Sequence, residues 1–115
     1  MDKKQHIEYL IKTHNIIVKS HSSGGRSWRK KRTIAIRPVK TSITYAIALH
    51  EIGHILGTYP KLRLEKELAA WSWAKENSIE WTMSMQNVMD RCMKSYIDKA
   101  KRGKLKMIEE LNNSW

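Results

Sequence analysis

The sequence predicts an α+β domain in which a small β-sheet packs on a helical half. Three observations carry this expectation. Two short β-branched runs lie before residue 37, the chain after residue 41 reads as a series of helices, and 115 residues suffice for one core rather than two.

Taken in order, Lys3 to His14 reads as a helix, with Ile7, Leu10 and Ile11 on one side and His6 and His14 expected at the surface. Ile16-Ile17-Val18 reads as a strand. His21 to Gly25 is a loop by composition, followed by the basic stretch Arg26–Arg32 with a single aromatic, Trp28. Thr33–Ile36 reads as a second strand, which Pro38 ends or marks as an edge. Thr41 or Ser42 can cap a helix that runs to about Leu56, where Gly57 stops it. After a Tyr59-Pro60 turn, a third helix is expected from Leu64 to Asn77. A fourth is expected from Ile79 to Arg102, with Met85, Met89, Cys92 and Tyr96 on one face. Gly103 is expected to break it, leaving a short final helix. The single domain 1–115 thus divides into a basic part (1–40), helices that carry the chemistry (42–77) and C-terminal helices (79–112).

Composition narrows the setting. Five Trp and no Phe assign much of the packing to tryptophan. No apolar run is long enough for a membrane span, and Met1–His6 lacks the apolar stretch of a signal peptide. A single cysteine, Cys92, excludes an internal disulfide, so a cytoplasmic location is the default expectation. The net charge of +11 is uneven: residues 1–40 hold eleven Lys/Arg against two acids, whereas residues 41–90 hold four bases against six acids. Such a basic part suits nucleic acid or an acidic protein, or is simply a solvated surface.

The segment Ala46–Leu56, AIALHEIGHIL, is apolar or Gly at eight of its eleven positions, on every side of a helical wheel. A helix apolar all round is buried. It nevertheless carries His50, Glu51 and His54, whose unpartnered burial costs several kcal/mol, roughly. A metal ion compensates directly. His50 and His54 lie four apart, one turn along one face, so two imidazoles reach one zinc at roughly 2.0–2.1 Å. Glu51, rotated off that pair, reaches a water beside the metal. This is the H-E-x-x-H pattern of zinc peptidases. The bland reading is a buried His/Glu hydrogen-bonding cluster.

A catalytic zinc takes three protein ligands and a water. The metzincin extension places its third histidine on Pro60, which excludes that pattern. Of the acids that follow, Glu67 begins a helix face with Ala70, Trp71 and Ala74, whose small residues permit close helix approach. Glu65 points about 200° away from it. Glu67 is therefore the expected third ligand of Zn²⁺; as an ordinary surface acid it would pair with Arg63 or Lys66.

His50-Glu51-Ile52-Gly53-His54, followed by Glu67-Leu68-Ala69-Ala70-Trp71-Ser72-Trp73-Ala74, resembles the ImmA/IrrE family of metallopeptidases, which shows H-E-x-x-H and then E-x-x-A-(N/D)-x-F-A. Glu67, Ala70 and Ala74 match, Trp73 replaces the Phe, and Trp71 departs from the Asn or Asp. The resemblance covers about residues 42–76. It implies a compact, minimal zincin-like core and a peptidase that acts on a specific protein substrate, such as a DNA-bound regulator of a phage or mobile element. The chain itself has no evident helix-turn-helix.

In such a peptidase Glu51 is the general base, and an oxyanion donor is expected among Tyr59, Tyr45 and His21. Tyr45 is equally readable as core. Thr33–Ile36 is either an edge for an extended substrate or an interior strand. The competing class is a basic nucleic-acid- or protein-binding module with a structural or catalytically silent zinc. There Arg26, Trp28, Arg29, Lys30, Lys31 and Arg32 would grip the partner. Glu51 argues against it, since a structural site has no use for a carboxylate beside a ligand. Cys92 reads as core, and Met83, Met85, Met89, Met93 and Met107 as core filler.

Overall fold

A computed structural model describes residues 1–113. Its elements are α1 (Lys3–Thr13), β1 (Ile17–Ser20), β2 (Gly25–Trp28), β3 (Thr33–Ile36), α2 (Ser42–Leu56), α3 (Arg63–Asn77) and α4 (Met83–Asn113). The fold is α+β, as the sequence predicts.

Local chemistry sets most boundaries. Asp2 and Gln5 form a reciprocal capping box at the start of α1, and Thr41 and Thr44 form another at the start of α2. Asn15 adopts a left-handed conformation (φ 53°) after α1, a region that Asn tolerates better than most residues. The chain reverses there, so Ile16 turns into the core and strand pairing begins at Ile17, where its N–H donates to Arg32 O at 2.8 Å. The first strand consequently lies one to two residues later than its β-branched run suggests, and all its residues are exposed.

The sheet order is β1-β3-β2, with β1 parallel and β2 antiparallel to β3. Thr33–Ile36 is therefore the central strand, buried at every position, and it presents no edge to a substrate. β2 falls where only a loop and a basic stretch are legible. Its Gly-Arg-Ser-Trp has no β-branched residue, and its extended state comes from pairing with β3, Gly25 opposite Ile36 and Trp28 opposite Thr33.

α2 is the hub of the core. Tyr45, Ala46, Ala48, Leu49 and Ile52 have no exposed surface. They pack against Ile7 and Leu10 of α1, Ile34 and Ile36 of β3, Trp71 and Ala74 of α3, and Met85 and Val88 of α4. α2 and α3 approach closely because Gly53 lies against Ala70, where a Cβ would stand 2.5 Å from the Ala70 carbonyl oxygen.

Several expectations require correction. The fourth helix starts at Met83, after Thr82 accepts a hydrogen bond from Met85 N, and it passes through Gly103 without a break. One glycine costs a helix only about 1 kcal/mol, which the surrounding Lys, Arg, Met, Leu and Glu outweigh. Met83 and Met107 are exposed, so only Met85, Met89 and Met93 fill the core. His6 is buried, not superficial: its Nδ1 lies 2.7 Å from the Tyr45 hydroxyl, and burial lowers its pKa. His14 is half-buried at the C-terminal cap of α1. Trp71 is buried and Trp73 and Trp81 pack against the core, while Trp28 is half-buried and Trp115 lies outside the described residues. No helix among the described residues is long and apolar enough to cross a membrane.

Candidate metal centre

The buried stripe of α3 is the one its spacing predicts: Glu67, Ala70, Trp71 and Ala74. It faces the second half of α2. There the Nε2 atoms of His50 and His54 converge on a single oxygen, Glu67 Oε2, at 2.8 and 3.1 Å. The two imidazoles meet edge to face, 4.6 Å between centroids. His50, Glu51 and His54 offer donor atoms that all lie within 4.8 Å of one another, and this group could hold a metal ion.

Trp71 stacks flat on His50, with centroids 4.3 Å apart and planes 14° from parallel. It holds the ring by packing. Glu51 Oε2 stands 3.6 Å from Nδ1 of His50. β2 lies tight against its carboxylate at residue 25, where a Cβ would stand 2.7 Å from Glu51 Oε2.

The electrostatics follow from this crowding. Burial works against charge on His50, but the carboxylates of Glu51 and Glu67 outweigh it and raise its pKa to about 8. Burial also opposes charge on Glu67, yet hydrogen bonds from His50 and His54 hold it well below the usual carboxylate range. Arg63 adds a looser charge contact, its Nε 3.9 Å from Glu67 Oε1.

The group forms the floor of a cavity of about 530 Å³ between β2, α2, α3 and α4. Of the expected oxyanion donors only Tyr59 lines it, at the mouth. Tyr45 is core: its hydroxyl meets His6 and accepts from Ile79 N at 3.0 Å, away from the cavity. His21 folds back on its own loop, where its Nδ1 accepts from Ser23 N at 3.2 Å, and it does not line the cavity.

The basic stretch is not the separate surface that charge counting suggests. Arg26 and Arg29 line the cavity. Arg29 also donates from Nη1 to the carbonyls of His54 (2.9 Å) and Gly57 (3.0 Å), so it caps the end of the motif helix. Arg32 donates to His14 O and ties the β2–β3 turn to the end of α1. Trp28 carries Lys19 and Arg26 over its ring, while Lys30 and Lys31 are exposed on the turn.

Sequence reasoning missed further residues of the cavity. Arg63 shares the α3 face of Glu67 by its i, i+4 spacing, a signal that was present, and Lys66, three residues after Arg63, flanks that face. Cys92 and Tyr96 reach the cavity from α4, so Cys92 is a half-buried wall residue, and burial raises its thiol pKa. Comparison with family models, curated proteins and solved structures finds no match to this chain.

Proposed function

We propose that this chain is a zinc-dependent metallopeptidase of the kind its motifs resemble, the ImmA/IrrE family. The observation that carries the reading is the convergence of both histidine Nε2 atoms on Glu67 Oε2, with Glu51, a member of the metal-competent group, beside them. Two imidazoles and one carboxylate are a donor set suited to a catalytic zinc. His50, His54 and Glu67 would hold the ion. When bound, it supplies Lewis acidity toward a peptide carbonyl and makes water easier to deprotonate.

The chain's own residues do the rest. Glu51 accepts the proton of the attacking water and passes it to the leaving amine. Trp71 and Glu67 hold His50 in one orientation. The free edge of β2, which runs along the cavity, can pair with an extended substrate, the role the sequence offered to β3. Tyr59 at the mouth is the remaining candidate for an oxyanion donor.

The test is elemental analysis combined with peptide cleavage. Wild type should carry one zinc per chain, His54→Ala none, and Glu51→Gln a full complement with no cleavage. Wild type without zinc, or Glu51→Gln without zinc but with a folded circular dichroism spectrum, would refute this assignment of roles.

A further inference from the structure

The charge around the metal group is unlike that of the segment which builds it. Residues 41–90 hold more acids than bases, yet two of their four bases, Arg63 and Lys66, stand on the cavity wall. Arg26 and Arg29 face them from the β2 side. Among the described residues, the only carboxylates lining the cavity are Glu51 and Glu67, both buried on the floor among the imidazoles. Above that floor every fully charged side chain is a cation.

These cations differ in how far they are committed. Arg29 is held by two helix-end carbonyls. Arg26 and Lys66 make no ion pair among the described residues; Arg26 lies over Trp28 (5.2 Å) and Lys66 over Tyr59 (4.4 Å). Arg63 lies over Tyr96 (5.4 Å) and engages that residue's hydroxyl, while its contact with Glu67 at 3.9 Å is long, so only part of its five-donor guanidinium is committed. Arg26, Arg63 and Lys66 therefore keep donors for an anion that enters from outside.

We infer that the cavity takes a peptide segment rich in carboxylates, received by Lys66 and Arg63 on the α3 wall and by Arg26 on the β2 wall. This names the substrate class of the proposed peptidase and rests on that reading only for the cutting step. Two features favour a peptide over nucleic acid. The open edge of β2 offers backbone hydrogen bonds to an extended chain, and side chains of such a chain then alternate toward the cations. The aromatic rings that could stack bases already carry cations: Tyr59 under Arg29 and Lys66, Tyr96 under Arg63 and Lys99, Trp28 under Lys19 and Arg26.

The experiment measures fluorescence anisotropy of labelled peptides that bear Glu, Gln or Lys at the same positions, bound to zinc-loaded and metal-free Glu51→Gln protein. An exposed ion pair changes affinity roughly 1.5- to 5-fold, so three cations together should favour the Glu peptide over the Gln peptide by about tenfold. The preference should shrink as salt rises. Lys66→Gln, Arg63→Gln and Arg26→Gln should each weaken the Glu peptide about twofold and leave the Gln peptide unchanged. All three side chains reach solvent, so the variants should keep the wild-type circular dichroism spectrum. Equal binding of Glu and Gln peptides, or an unchanged preference in all three variants, overturns the inference. So does a single-stranded oligonucleotide that outcompetes the Glu peptide and loses that advantage in the same variants. Tight Glu-peptide binding without cleavage by zinc-loaded wild type supports the inference and refutes the peptidase reading. Cleavage of Glu and Gln peptides with equal kcat/KM and equal binding does the reverse.

Discussion

Replacing Gly53 by Ala should separate the two helices that form the metal centre. The new Cβ would stand 2.5 Å from Ala70 O, 3.1 Å from Ala70 C and 3.2 Å from Ala70 Cα. These are backbone atoms of α3 and cannot swing aside. Ordinary non-bonded contact begins near 3.5 Å, so α2 and α3 must part by about 1 Å. Overpacking of this kind costs about 1–3 kcal/mol, and a rigid backbone partner places it toward the upper end. The helix propensity gained by replacing Gly offsets about 1 kcal/mol. A net loss of about 2 kcal/mol lowers the melting temperature by about 5–10 °C for a chain of this size. The same displacement draws Glu67 Oε2 from the histidine Nε2 atoms it meets at 2.8 and 3.1 Å, so zinc affinity should fall at least about tenfold. Thermal melts of metal-free protein and zinc titration against a chromophoric chelator read the two effects separately. A variant more stable than wild type, with unchanged zinc affinity, would show that the helices have slack and that the close approach does not position the ligands.

Three further outcomes are expected. His50, raised from 6.5 to about 8, gives the metal-free fold stability that is complete below pH 6.5 and lost as pH rises through 8. Zinc must displace that proton, so its affinity should climb about tenfold per pH unit up to pH 8 and flatten above; a level profile in chelator competition refutes this. Arg29→Ala should destabilise the fold by about 1–3 kcal/mol in urea melts, because two carbonyls at the end of α2 lose a charged donor, and it should also weaken zinc through His54. An unchanged urea midpoint would return Arg29 to the surface. Tyr45→Phe leaves Ile79 N–H and His6 Nδ1 without the hydroxyl they meet at 3.0 and 2.7 Å, costing about 1–3 kcal/mol while zinc binding and cleavage persist. Loss of cleavage in a folded, zinc-loaded Tyr45→Phe protein would restore Tyr45 to the chemistry.

What the sequence made legible was local. The Thr41 cap, the Gly57 stop and the apolar surroundings of His50, Glu51 and His54 lie within seventeen residues, and α2 forms where they predict. The Glu67 face was readable because helical spacing alone brings Ala70, Trp71 and Ala74 into line with it. The misses are pairings that neither partner segment announces by itself. β2 is extended because β3 lies beside it, which Gly-Arg-Ser-Trp does not announce. His6 is buried because Tyr45, thirty-nine residues later, comes to rest over it. Arg29 meets the carbonyl of His54, twenty-five residues further on, so a charge count reads as surface what is partly an internal donor.

Two glycines packed against the motif helix or within it, Gly25 and Gly53, explain why these polar groups tolerate burial. Glu51 and the histidines leave α2 in different directions, and each needs a partner element at contact distance. On one side Gly25 lets β2 close over Glu51, where any Cβ would strike the carboxylate at 2.7 Å. On the other, Gly53 lets α3 come near enough for Glu67 to meet both imidazoles. An H-E-x-x-H helix lacking these approaches would have to expose its charged residues, since unpaired burial costs several kcal/mol, roughly. The motif acquires chemical meaning through residues outside its His and Glu positions. Gly25 in particular belongs to a strand that no property of the motif helix encodes.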